Sequence, residues 1–171
     1  MKKALIIIDM LNDFVLEGAP LQVPNAKSII PNIKREIDKA RKEGYPVIYV
    51  CDAHDEDDDE FKIWPHHCVK GTKGAEVVEE LKPSDGDIVV EKTRYSGFFN
   101  TNLDEILKDL GVEQLIVTGL VTNICVMYTV ADAVSRGYKV IVPKDCIIGL
   151  DEDGHKFGLM QLEKVHNAEI V

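Results

Sequence analysis

Short apolar, β-branched runs alternate along the chain with stretches whose apolar positions recur every three or four residues. This is the pattern of strands and crossover helices in a parallel sheet covered on both faces. Ala4 to Ile8 reads as the first strand, Pro46 to Val50 as the second, Asp87 to Val90 as the third, Gln114 to Val117 as the fourth, Lys139 to Val142 as the fifth, and Ala168 to Val171 as a short terminal strand. Ala26 to Glu43 predicts a helix with Ile29, Ile30, Ile33, Ile37 and Ala40 on one stripe, Asn25 as its cap and Gly44 as its stop. Further helices are predicted over Ala75 to Leu81, Leu103 to Leu110 (closed at Gly111), Asn123 to Ser135 (ending at Gly137) and Gly154 to Val165. Only Cys51 to Gly74 lacks clear periodicity, and loops of that length in compact domains are usually functional or disordered. Its contents, Asp-Ala-His, an acid run and Trp-Pro-His-His-Cys, favour function.

A length of 171 residues suits one domain, 1–171, with its own core. The 45% hydrophobic and 29% charged residues exclude a disordered or membrane-embedded class. A net charge of -10 argues against nucleic acid as a partner, since phosphate backbones need a basic face. Most of the excess is local: Asp52, Asp55, Glu56, Asp57, Asp58, Asp59 and Glu60 crowd one segment, and Asp55 to Glu60 is expected to be a solvated surface loop. The apolar run after Lys2 and Lys3 ends at Asp9, before a signal-peptide core or a membrane span forms, so a cytoplasmic protein without a membrane partner is expected. Cys51, Cys68, Cys125 and Cys146 are widely spaced and read as reduced thiols.

In open parallel sheets the ligand crevice lies beyond the carboxyl ends of the strands. The residues placed there are Asp9, with Asn12, Asp13 and Phe14; Asp52 and His54; Lys92; and Gly119 to Cys125, leading into a helix. A thiol near a helix N-terminus sees the positive end of the macrodipole, which favours thiolate, and the same N–H groups suit an oxyanion. The competing reading of Cys125 is an inert core cysteine among Val126, Met127 and Val130. Asp9 is a candidate proton acceptor, and Lys92 a cation that would lower the thiol pKa. Asp52, His54, His66 and His67 supply the residue types of a Zn²⁺, Fe²⁺ or Mn²⁺ site with open positions. His155 and His166 fall on the last helix, far from the strand ends, and receive no role.

Five motifs in order then resemble those of the isochorismatase-like cysteine hydrolases, nicotinamidase/pyrazinamidase branch, over nearly the whole chain. They are Ala4-Leu-Ile-Ile-Ile-Asp9-Met-x-Asn-Asp13-Phe14, Asp52-x-His54, Trp64-Pro65-x-His67-Cys68-Val-x-Gly-Thr-x-Gly74, Lys92-x-x-Tyr95-Ser-Gly97-Phe98 and Gly119-x-x-Thr122-x-x-Cys125. The resemblance implies a three-layer αβα fold with a six-stranded doubly wound parallel sheet of order 3-2-1-4-5-6. It also implies a triad of Asp9, Lys92 and Cys125, a cis peptide between Leu120 and Val121, and an oxyanion hole from the N–H groups of Val121 and Cys125. A divalent metal would be held by Asp52, His54 and His67, with no nucleotide or organic cofactor, and the chain would form a homo-oligomer, a dimer or tetramer. Phe14, Trp64 and Tyr95 are candidates to wall a flat ring.

The implied chemistry is hydrolysis of a small carboxamide through a thioester, nicotinamide to nicotinate first among the candidates. Ala53, the acid run and Glu17-Gly-Ala-Pro-Leu21 depart from the nicotinamidase pattern, so another amide (N-carbamoyl, ureido or lactam-like) stays open. A silent binding member of the fold is a further alternative. A phosphoacceptor receiver domain is disfavoured because Lys92 stands where it would need an aspartate.

Overall fold

The computed structural model describes all residues, 1–171. Its strands are β1 (Lys3–Ile8), β2 (Val47–Asp52), β3 (Ile88–Lys92), β4 (Gln114–Leu120), β5 (Lys139–Val142), β6 (Ile147–Ile148) and β7 (Glu169–Ile170). They form one parallel sheet of order β3-β2-β1-β4-β5-β7, with β6 beside the end of β4. This is the expected order with the terminal strand in sixth place; the two-residue β6 is an addition. Strand order reverses between β1 and β4, whose register pairs Ile8 with Gly119.

Alternate residues of each central strand face opposite sides, as the pleat requires. Leu5, Ile7, Tyr49 and Ile116 join one core cluster with Phe14 and Val15 of the one-turn helix α1 (Asn12–Val15) and Ile33, Ile37 and Ala40 of α2 (Ile30–Glu43). Ala4, Ile6, Ile8, Val50 and Val117 join the other with Leu103 and Leu107 of α3 (Leu103–Asp109) and Val130 and Ala133 of α4 (Met127–Ser135). β1 is therefore covered on both faces. Gly119 allows β4 to approach it: φ is +112°, and a Cβ there would overlap the Ile8 backbone.

Two local expectations are corrected, and the rough bounds of the last helix are filled in. The stretch 75–81 is two single 3₁₀ turns, Lys73–Ala75 and Glu79–Leu81, joined by extended chain. Its peptide groups are taken by the first loop: Val77 bridges Leu11, and Val78 N–H donates to the Met10 carbonyl at 2.9 Å. Asn25 is not a side-chain cap; it turns with φ +60° into a 3₁₀ turn, Ala26–Ile29, that precedes α2. The last helix, α5 (Glu152–Met160), starts before Gly154, capped by the Asp151 carboxylate on the Gly154 N–H, and runs on as a π turn, Gln161–Val165. No helix is long and apolar enough to cross a membrane.

Candidate active site

The carboxyl ends of β1, β2, β3 and β4 deliver Asp9, Asp52, Lys92 and Cys125 to one buried point. Lys92 Nζ lies 3.0 Å from Asp9 Oδ2, 2.5 Å from Asp52 Oδ1 and 3.4 Å from Cys125 Sγ, and it donates to the Arg94 carbonyl at 3.0 Å. Asp9 is held in a left-handed conformation (φ +54°), which aspartate tolerates better than most residues. Its Oδ1 accepts from the Asp52 N–H at 2.9 Å; its Oδ2 is buried and has no hydrogen-bond partner beyond the Lys92 charge.

Burial raises the Asp9 carboxyl to about 6, Asp52 adding to the effect and Lys92 opposing it. Burial disfavours the charged Lys92, but the Asp52 and Asp9 carboxylates outweigh it and keep the ammonium protonated well beyond the usual lysine range. Burial also pushes the Cys125 thiol well up; Lys92 pulls it down, Asp9 and Asp52 push it up. The helix end and Lys92, expected to favour thiolate, are thus opposed by burial beside two carboxylates. Desolvation wins over the cation and the helix end.

Cys125 sits in a π turn, Thr122–Val126, that leads into α4. The Leu120–Val121 peptide before it is cis. The Val121 carbonyl accepts from Ile124 and Val126 and passes over the Cys125 N–H, while the Val121 N–H donates to no backbone or side-chain acceptor.

Beside this point lies a second group. One donor atom each from Asp52, His54, Glu60 and His67 lies within 4.8 Å of the others, and all four residues are buried. His54 Nε2 is 3.4 Å from Asp52 Oδ2 and 3.1 Å from Glu60 Oε2, yet makes no hydrogen bond. His67 Nε2 is 3.7 Å and 3.6 Å from the same two oxygens. Each ring's other nitrogen faces an acceptor: His54 Nδ1 lies 3.1 Å from Asp58 Oδ2, and His67 Nδ1 lies 2.7 Å from the Pro65 carbonyl. Two imidazoles fixed in orientation by outer partners, two carboxylates and an orphaned buried nitrogen fit a divalent metal. Without one, burial works against charging His54 and His67, but the Asp52 and Glu60 carboxylates prevail and raise them to about 10 and about 9.

Glu60 was not singled out in the sequence, and the solvated acid loop is corrected. Asp55, Glu56, Asp57 and Asp59 face water or its margin, whereas the Asp58 and Glu60 side chains turn inward. A 3₁₀ turn, Asp59–Lys62, capped by Asp58 on the Glu60 N–H at 2.8 Å, sets that direction. His66 stacks on Phe61 away from the donors. His155, expected far away, has its Nδ1 2.7 Å from Thr122 Oγ1, because Gly154 and Gly158 let α5 pack directly on Thr122 and Asn123.

Between triad and donors lies a cavity of ≈ 410 Å³ including its mouth. Asp9, Asp52, Glu60, His67 and Cys125 form its reactive side, Phe14, Trp64 and Tyr95 supply aromatic surface, and Leu21, Val23, Leu120, Val121, Ile124 and Leu150 close the rest. Trp64 Nε1 donates to Tyr95 Oη at 3.0 Å, so the two rings are tied together. No arginine or lysine lines it.

Residues 3–170 match the family model for the isochorismatase domain. The chain is 33% identical to ureidoacrylate amidohydrolase RutB of Agrobacterium fabrum, with 97% of this chain and 82% of that protein covered. Among solved structures it resembles N-carbamoylsarcosine amidase from Thermoplasma acidophilum (39% identity, TM-score 0.91, 99% of this chain and 95% of that one). It likewise resembles the pyrazinamidase of Pyrococcus horikoshii in complex with zinc (31% identity, TM-score 0.94, 100% and 99% covered).

Proposed function

The chain belongs to the isochorismatase family of hydrolases, whose relatives act on amides, and on that premise we propose that it deamidates a flat, uncharged heteroaromatic carboxamide, nicotinamide before others. The observation that carries the substrate class is the cavity lining: aromatic and aliphatic walls, one edge of metal-type donors, and no fixed cation. The alternative is a ureido or N-carbamoyl amide, as in the names of two relatives. Such acids carry a free carboxylate, for which the walls offer no arginine or lysine partner.

Cys125 is the nucleophile and Asp9 the proton carrier. With its carboxyl near 6, Asp9 is mostly ionised at neutral pH yet basic enough to take a proton. Asp9 Oδ2 accepts the thiol proton as Sγ bonds to the carbonyl carbon. The oxyanion points to the N–H groups of Val121 and Cys125. Collapse breaks the C–N bond, protonated Asp9 gives its proton to the departing nitrogen, and ammonia leaves. A water deprotonated by Asp9 then attacks the thioester; the C–S bond breaks, the acid leaves and Cys125 recovers its proton. Lys92 keeps a fixed positive charge beside both anionic partners throughout.

Asp52, His54, Glu60 and His67 would hold a divalent ion, Zn²⁺, Fe²⁺ or Mn²⁺, and that ion would supply a Lewis-acid anchor for a ring nitrogen. Phe14, Trp64 and Tyr95 orient the ring. No nucleotide or organic cofactor is required by this scheme. A homo-oligomeric state in the cytoplasm belongs to the same proposal and is tested by solution mass and cell fractionation.

The deciding experiment measures ammonia release from nicotinamide, pyrazinamide, N-carbamoylsarcosine and ureidoacrylate at matched concentrations. Nicotinamide or pyrazinamide turnover with the two acids inert is the expected result. Faster turnover of either acid overturns the substrate class and leaves the thioester chemistry standing. No turnover of any amide, with Cys125 unreactive to alkylation, would favour the silent binding member.

A further inference from the structure

Two carboxylates of the acid run turn inward, and only Glu60 is a donor; Asp58 touches none of the cavity. Its contacts lie one layer out. Asp58 Oδ2 is 3.1 Å from His54 Nδ1, and Oδ1 accepts from the Glu60 N–H at 2.8 Å, so one carboxylate orients an imidazole donor and caps the turn that carries a carboxylate donor. Arg94 Nη1 reaches both oxygens, at 2.9 Å and 3.1 Å, and also donates to the Thr93 carbonyl at 2.6 Å. The Asp58 side chain is 7% exposed, against 43% for Arg94. The guanidinium thus roofs the carboxylate from the loop that follows the triad lysine. An imidazole with its outer N–H held by a carboxylate is a better and better-aimed ligand, and loss of such partners typically weakens metal binding about 10–100-fold.

We propose that Asp58, clamped by Arg94, is the positioning residue that sets the affinity of the donor group, holding His54 and Glu60 in place together. This rests on the metal reading of Asp52, His54, Glu60 and His67. The clamp makes a sharp distinction within the acid run: Asp58 matters for metal binding, whereas Asp55, Glu56 and Asp57 do not.

The test is metal affinity, not turnover. Full-length protein stripped by a chelator is titrated with Zn²⁺ or Mn²⁺ in competition with a chromophoric chelator, in wild type, Asp58→Ala, Asp58→Asn, Arg94→Ala, the Asp58→Ala/Arg94→Ala pair and Asp57→Ala. Asp58→Ala should bind about 10–100-fold more weakly. Arg94→Ala should weaken binding in the same direction, the pair should be no weaker than Asp58→Ala alone, and Asp57→Ala should match wild type. Asp58→Asn keeps one acceptor oxygen and should fall between Asp58→Ala and wild type. Urea unfolding of the metal-free forms reports folding, and Arg94→Ala, at the surface, carries the test if Asp58→Ala does not fold. Wild-type affinity in both single variants overturns the clamp, as does a pair that loses the product of the two single factors. A wild type that binds neither ion sinks the metal reading and the clamp with it; tight binding retained in Asp58→Ala sinks the clamp alone.

Discussion

Asp52 gives one oxygen to each half of the site: Oδ1 meets Lys92 Nζ at 2.5 Å, and Oδ2 faces His54 Nε2 at 3.4 Å and His67 Nε2 at 3.7 Å. Burial works against its charge, but Lys92 and the two imidazoles win, holding the carboxyl well below the usual range. A single carboxylate thus ties the cation beside the thiol to the donor group beside the cavity. Asp52→Asn should lower metal occupancy and, by removing a carboxylate that pushes the thiol up, raise the alkylation rate of Cys125, whereas Glu60→Gln should lower only metal occupancy. Metal analysis paired with iodoacetamide kinetics checks this; an unchanged alkylation rate in Asp52→Asn would mean the halves are independent.

The Asp9 carboxyl near 6 fixes the sign of the pH dependence. Below that value it is protonated and cannot accept the thiol proton, so the rate should fall as pH drops through about 6 and level off above it. Asp9→Asn should cost at least about 10²-fold in kcat/KM and remove this limb from the profile. A wild-type acid limb centred near 4 would show that burial does not raise Asp9.

Of the four buried thiols, only Cys125 lines the cavity, with the buried Lys92 ammonium 3.4 Å from its Sγ. Cys51, Cys68 and Cys146 are pushed up by burial and face no opening to the cavity. Iodoacetamide at neutral pH should modify one thiol, identified by peptide mapping as Cys125, and Cys125→Ser should abolish both labelling and ammonia release. Prior labelling of another cysteine at equal rate would refute the assignment.

His155 Nδ1 and Thr122 Oγ1 meet at 2.7 Å where the last helix packs on the turn that carries Cys125. Thr122 is fully buried, so His155→Ala leaves its hydroxyl without a partner at a cost of about 1–3 kcal/mol. The expected result is a lower urea midpoint and a lower kcat, with metal stoichiometry unchanged, because the donors lie on another loop. Loss of metal in this variant would contradict the placement.

Gly119→Ala should cost about 3 kcal/mol or more, since φ of +112° and the Ile8 backbone both oppose a side chain. Denaturant unfolding measures it, and a loss under 1 kcal/mol would mean β1 and β4 can part without penalty.

The strands were legible because the signal is local: an apolar run that closes before Asp9, Asp52 or Lys92 names both the strand and the residue at its open end. Glu60 and Asp58 were not, since in a run of like acids direction depends on a 3₁₀ turn and on Arg94, 36 residues away. The false helix over 75–81 arose because its spacing suits a helical stripe, while the peptide groups of Val77 and Val78 had been claimed by Leu11 and Met10. His155 was read on the last helix but far from the strand ends, because only the packing shows that Gly154 and Gly158 bring that helix onto Thr122 and Asn123.

The proposed bond-breaking residues are buried at the strand ends, Asp9 after β1 and Lys92 on β3, and in the turn after β4, Cys125, whereas Glu60 and His67 hang on the loop between β2 and β3. On the proposed roles, change in that loop would alter the donor side of the cavity while the strand ends stay as they are, so one framework could be refitted to new amides by editing the chain between Asp52 and Ile88. Loop grafting between family members is then a route to exchanging substrates while the strands stay as they are.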